Sequence, residues 1–322
     1  MALPYTDLTA YSSDMYVKKA TEIVYLNSPV FVRLHTRRQD RFLGGLAIRR
    51  TLIHGELNGG AIGRGEGFDI SHVPVATALR VDMKGYGVSF SVYAWDAMLN
   101  EGPFSFFSQV ELGFQAAALT MAKKLATDMY LQDSGARAKC LTGFEQWIDD
   151  GTLYATIGGI TRTDLMAAGT VGALSAYYAS LTSFNLQSLN RAYANAHFGN
   201  DHVDLIPCTV NGYQLIWNAT QLLQRYQDPQ SDIGKIGFQS FRFNAAEVVV
   251  DRYMPTGTSG RMFGLNTNYI EWYFSQNPMW QWGFTGFKTS QAGIDAAGQW
   301  LVGCNIVVPN PRTCFKLAST LF

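Results

Sequence analysis

The run AAEVVVDRYMPTGTSGRMFGLNTNYIEWYF, residues 245–274, decides how the chain is to be read. A largely apolar stretch reaches Asp251, a glycine-containing loop follows, and an aromatic segment closes it. A glycine-rich loop after a buried strand is how many phosphate sites begin, because free backbone N–H groups can cradle the anion. Such cradles open a helix and, in the P-loop form, carry a lysine. Here Gly257, Gly260 and Gly264 are spaced by three and four, the loop has no lysine, and YIEWYF reads as a strand. The segment is a corner between two strands, with Pro255 and Gly257 supplying the turn.

Moving outward, GFQSFRF alternates, while AAEVVV is apolar apart from Glu247, as in a central strand. Upstream, LIPCTVNGYQLIWNATQLLQRY reads as a short strand before Pro207 and a helix from about residue 212 to 226. A further helix is expected over Leu186–His197, and turns at Asp150-Gly151 and Gly158-Gly159. Downstream, residues 269–322 are strand-like and aromatic. Leu165–Asn190 has no charged residue and is long enough to span a bilayer. Its many Ser, Thr, Gly and Asn residues are costly to desolvate in lipid, so it reads as a buried or interface-facing stretch.

Residues 103–131 give the strongest helix. Pro103 suits a first helical position, and Phe104, Phe107, Val110, Phe114, Ala118, Met121, Leu125 and Met129 recur at spacings of three and four. The rise per residue makes this a spine of about 43 Å. Before it, residues 44–93 read as a long hairpin, with GGLAIRRTLIHGEL and VATALRVDMKGYGVSFSVYA as its arms. Val88, Phe90 and Val92 alternate with Ser89 and Ser91, a half-buried strand. The connection NGGAIGRGEGF lacks the third glycine of a dinucleotide fingerprint (Phe68 stands there) and leads into no helix, so it is a flexible tip. Residues 14–27 are expected to form a helix stopped by Pro29, followed by an extended basic segment with Arg33, Arg37, Arg38 and Arg41.

The 322 residues are 47% hydrophobic and 13% aromatic, enough for a sizeable core, but only 16% charged. Average proteins carry roughly 25% charge, so this is a surface suited to being covered by partners. Zero net charge announces no specific nucleic-acid binding. Cys140, Cys208, Cys304 and Cys314 form no CxxC pair, which argues for reduced thiols and against a zinc site. MALPYTDLTAYSSD lacks the basic start and apolar core of a signal peptide. HExxH, GxSxG and Walker motifs are absent, and His197 and His202 would need a further ligand to hold a metal. No catalytic, cofactor-binding or metal residue is assigned.

The order of parts — arm, glycine-tipped hairpin, spine helix, then an α/β region — resembles the major capsid proteins of tailed bacteriophages. Their fold is named after the phage Hong Kong 97 and is shared by encapsulin shells. The local matches are NSPVFVRL…FLGGLAIRRTLIHG, LIPCTVNGYQLIWNATQLL and FQSFRFNAAEVVVDRYMPTG…FGLNTNYIEWYF. Asp251, Pro255, Gly257, Leu265 and Asn266 follow the order in which many such proteins close their axial domain.

The resemblance implies an α+β chain with an N-terminal arm (1–42), an E-loop hairpin (43–93) and a peripheral domain holding the spine helix (94–171). An axial domain (172–274) and return strands (275–322) complete it. It implies no cofactor, no enzymatic activity and no membrane association. It implies assembly with other copies, as pentamers and hexamers, into an icosahedral head enclosing double-stranded DNA. The location is the virion capsid, assembled in the host bacterial cytoplasm, with portal and scaffolding or decoration proteins as further partners and non-specific contact with packaged DNA. A chain beginning this close to the arm is expected to need a separate scaffold, or prior cleavage, if it uses one.

Arg49, Arg50, Arg64, Glu66 and Lys84 on the hairpin, and Arg261 in the axial loop, are the candidates for inter-subunit charge pairs. Some relatives crosslink through an E-loop lysine. Lys84 is the only lysine of this hairpin, but no asparagine partner or catalytic acid is identified, so crosslinking is not carried over. An encapsulin-like cargo shell and a nucleotide-binding enzyme are the alternatives.

Overall fold

A computed structural model describes residues 28–37, 39–42, 44–55, 57–67, 69–93, 103–165, 172, 174–182, 184–220, 240–255, 260–289 and 296–319. The helix expected over 14–27 and the turn residue Gly257 lie outside these.

In chain order the helices are α1 (Pro29–Arg37), α2 (Pro103–Met129), α3 (Phe144–Trp147), α4 (Leu186–Asn195) and α5 (Val210–Thr220). The strands of the first half are β1 (Gln39–Phe42), β2 (Ile48–Ile53), β3 (Ala76–Val81), β4 (Lys84–Val92), β5 (Thr156–Ile157), β6 (Ile160–Thr161) and β7 (Tyr177–Leu181). Those of the second are β8 (Leu205–Cys208), β9 (Ser240–Phe243), β10 (Ala246–Val250), β11 (Gly260–Gly264), β12 (Glu271–Ser275), β13 (Gly283–Phe284), β14 (Lys288–Thr289), β15 (Ala296–Val307) and β16 (Phe315–Ser319).

Two six-stranded sheets organise the molecule. The first is built on β15. Along one side it pairs with β4 in an antiparallel register from Ala296↔Val92 to Cys304↔Lys84. Its other side is shared by β14, β13 and β12, and β12 pairs in parallel with β1. The spine helix α2 lies against β4, with Val110, Phe114, Ala118, Met121, Leu125 and Met129 all buried. Phe90 and Phe114 meet edge to face at 4.9 Å, with Phe284 also 4.9 Å from Phe114.

The second sheet runs β7-β16-β11-β8-β10-β9. Leu189 of α4 and Ile216 of α5 pack on one of its faces, against Ile206, Val248, Met262 and Leu317. Leu205, Val249, Phe263 and Leu265 belong to the main core shared with the first sheet and the spine. β10, paired on both sides by β8 and β9, has four buried residues out of five, Glu247 among them, as expected of a central strand.

Three local expectations change. Pro29 opens α1, where its fixed φ and missing N–H are no penalty. The basic segment after it is therefore helical up to Arg37 rather than extended. Pro207 lies inside β8, opposite Val249, not after it. The hairpin ladder comprises only β2 and β3, from Ile48↔Val81 to Ile53↔Ala76. Past Asp82 and Met83 the second arm departs as β4 and joins the first sheet.

Candidate assembly surface

Where the opening loop was a question, packing gives the answer. A Cβ on Gly264 would fall 2.1 Å from the Phe315 ring of the neighbouring strand. This glycine is there so that an aromatic ring can cross β11; it does not serve an anion. The following Leu265 is bridged to Leu205 by N–H···O bonds of 2.8 and 3.1 Å. Asp251, at the end of β10, is buried and accepts from Ser28 Oγ (2.5 Å), Tyr130 Oη (2.9 Å) and the Tyr253 N–H (2.9 Å). One carboxylate thus ties the segment before α1, the end of the spine and the corner of the second sheet.

The junction between α3 and the second sheet holds a second polar knot. Lys316 Nζ bonds Asp149 Oδ1 and the Glu145 carbonyl, both at 3.2 Å, and lies 4.6 Å from the Tyr178 ring centre. Asp149 Oδ2 also accepts the N–H groups of Gly151, Leu153 and Tyr154. Arg162, fully buried, donates to the carbonyls of Tyr154, Gln146, Trp147 and Leu174. Burial lowers its pKa to about 10, opposed by Asp149 and Asp150. Burial likewise pulls the Lys316 ammonium below its usual value, with Asp149 opposing.

The hairpin contrasts with this. At its base Arg50 Nη2 reaches the buried Glu271 Oε1 at 2.6 Å, and Tyr273 Oη holds the other oxygen at 2.9 Å. The Arg80 N–H bonds the Gly158 carbonyl in the β5–β6 turn. Beyond the ladder, His54 and Gly55 both donate to the Val75 carbonyl, and then strand pairing ends. Two clasps shape the tip. Glu66 Oε2 accepts the Gly63 N–H at 2.7 Å, and Asp69 accepts from Asn58, the Ser71 hydroxyl and the Ser71 N–H. These bonds, the Ser71 hydroxyl first, hold the Asp69 carboxyl below the ordinary carboxylate range. Around the clasps Leu57 and Ile70 are 73% and 93% exposed, and Ile62 about half. Apolar side chains of this size on one narrow projection mark a surface awaiting a partner.

Three of the six charged candidates have charged partners within the subunit. Arg50 pairs with Glu271, Arg261 with the buried Glu145, and Lys84 with the Ala138 carbonyl (2.6 Å) and Asp133 (3.5 Å). Glu66 caps its own loop, while Arg49 and Arg64 are exposed without a partner among the described residues. The knots at Asp251 and Lys316 went unseen in sequence as contacts, though Asp251 was singled out by its place after the apolar run.

For other chemistry the ground is thin. Among the described residues no three His, Cys, Asp or Glu side chains are grouped to hold a metal ion. No helix among them is long and apolar enough to cross a membrane. All four cysteines are free, and burial pushes the thiols of Cys304 and Cys314 up to about 12, which makes them poor nucleophiles.

No family model and no curated protein sequence matches the chain. Solved structures do. The capsid asymmetric unit of cyanophage A-1(L) superposes with a TM-score of 0.62 at 10% identity, covering 91% of this chain and 92% of that one. The capsid of a native GTA particle gives 0.60 at 8% identity, covering 88% of each. An encapsulin, SrpI from Synechococcus elongatus PCC 7942, gives 0.57 at 9% identity, covering 90% and 86%. Agreement over nearly the full length of each chain, with the sequence signal almost gone, is a likeness of fold: this chain has the α+β Hong Kong 97-type fold of phage capsid and encapsulin shells.

Proposed function

We propose that the protein is a major capsid protein, which assembles itself into the icosahedral head of a tailed phage around double-stranded DNA. The observation that carries this is the hairpin. It projects from a shell-protein fold, anchored at its base by Arg50–Glu271, with bare Leu57, Ile62 and Ile70 at its tip. A two-stranded ribbon is marginal by itself in water and gains order when laid on a neighbour. Its partners are other copies as pentamers and hexamers, a portal and scaffolding or decoration proteins. Packaged DNA touches it without specificity, as zero net charge suits. It acts in the virion capsid after assembly in the bacterial cytoplasm, and catalyses no reaction.

In this reading the first sheet with α2 is the peripheral domain and the second, with α4 and α5, the axial domain near the symmetry axes. β16 returns the chain to the axial sheet. Arg49, Arg64 and Glu66 face neighbours, while Arg50, Lys84 and Arg261 hold the subunit's own parts together. A cargo shell of the encapsulin kind is the second reading, favoured by the SrpI likeness. Electron microscopy of the purified protein tests both: closed shells, pentamers or hexamers are expected, and a stable monomer at high concentration overturns them. Head-sized particles that take up DNA separate the first from shells that retain an enzyme cargo.

A further inference from the structure

A cleft of about 400 Å³ opens at the base of the hairpin, lined by Phe42, Ala47, Ile48 and Tyr273 with Arg49 and Arg80 above. Gly44 and Gly45, with φ of +118° and +109°, let the chain bend around it between β1 and β2. Arg49 and Arg80 are directly opposite each other in the antiparallel ladder, exposed, and neither side chain has a partner among the described residues. Like charges in facing positions are unfavourable. Two guanidiniums over an apolar floor are suited to receive a carboxylate, which each can bind through paired N–H groups, together with apolar side chains.

Resting on the shell reading, we propose that this cleft receives the hairpin tip of a second copy of the chain, with Glu66 and Asp69 meeting Arg49 and Arg80. The tip has the complementary composition. Between residues 57 and 67 and at 69–71 it carries Glu66 and Asp69 against the single Arg64, beside exposed Leu57, Ile62 and Ile70. Its own tip cannot fill its own cleft. The β2–β3 ladder and the His54 and Gly55 bonds to Val75 hold the two arms together and carry the tip away from the base. A contact of one patch with a different patch on the next copy is heterologous, the kind of contact that builds a ring when its rotation closes, as capsomers require.

The experiment is assembly of three charge variants beside the wild type, followed by sedimentation and electron microscopy, with circular dichroism of the unassembled subunits as the folding control. R49E/R80E and E66K/D69K are each expected to fold and to raise the protein concentration needed for assembly about tenfold or more. The combined variant R49E/R80E/E66K/D69K, in which the charges are exchanged, is expected to regain assembly. Assembly of R49E/R80E at the wild-type concentration overturns the inference. So does a folded combined variant that stays unassembled, which would give the cleft to some other acidic partner. Wild-type protein that forms no shell under any condition overturns instead the shell reading on which the cleft pairing rests.

Discussion

At the α3 junction, Lys316, Asp149 and Arg162 are buried, and each is hydrogen-bonded by groups of its own subunit. On the hairpin, Arg49, Arg64 and Arg80 stand exposed with no carboxylate partner among the described residues. The same residue types thus serve two ends. Buried charges cost desolvation and are tolerable only when every partner is present, so the junction is fixed within one chain. Exposed charges cost little alone, so the hairpin can wait for its partners from another chain. The contrast can be broken from either side, because junction changes should move subunit stability and hairpin changes should move assembly.

The largest effect is expected at the junction. Asp149→Ala removes the one side-chain carboxylate bonded to Lys316 among the described residues, and with it three N–H acceptances that shape the loop after α3. It leaves a buried ammonium whose side chain is only 2% exposed. Breaking one partner of a buried pair typically costs about 3–5 kcal/mol. Guanidinium unfolding of the unassembled subunit should show a loss of that order. A loss below about 1 kcal/mol would mean that water reaches Lys316, and the contrast with the hairpin would fall.

Next in size is a pH effect at Asp251. Burial raises its pKa above the ordinary 3.8, against the lowering by Ser28, Tyr253 and Tyr130. A carboxyl with a raised folded-state pKa gives stability that is fully present below its unfolded value. That stability is lost as pH rises through the folded value, where ionisation must occur in a desolvated place. In Asp251→Asn this loss is absent. The stability of the variant relative to wild type should therefore climb as pH is raised from about 4 towards 7. Urea unfolding at several pH values reads the difference, and parallel stability–pH curves would show that the carboxyl is solvated enough to ionise freely.

What could be read in the sequence divides along the same physical line. The spine helix was legible because α2 repeats its apolar stripe every three or four residues, and it was placed within two residues of its end at Met129. β10 was legible because AEVVV is apolar at four of its five positions, Glu247 being the exception. Pairing across long separations was not. Arg261 and Glu145 lie 116 residues apart, and nothing local in either names the other. Gly264 looked like part of a phosphate loop because the reason for it, Phe315, is fifty-one positions away. The basic run after Pro29 was misread as extended because a proline ends one helix and begins another with equal ease, and only the residues that follow decide which. The shortened hairpin ladder was hidden because Asp82 and Met83, where the arm changes sheets, carry no turn signal.

The smallest expected change in stability is at the tip, and it tests the other half of the contrast. Ile70 is 93% exposed and Leu57 73%, so each already has most of its surface in water in the lone subunit. Replacing them, as Ile70→Ser and Leu57→Ser together, removes almost no contact there. Unfolding free energy should stay within about 0.5 kcal/mol of wild type. In the proposed shell the same side chains would become buried, and full burial of an aliphatic side chain is worth about 1.5–3 kcal/mol. Assembly should therefore need a protein concentration higher by about tenfold or more, while the unassembled subunit melts unchanged. A clear drop in the melting temperature of that subunit would mean the tip packs on its own body. Unchanged assembly would mean its apolar side chains stay in water in the shell.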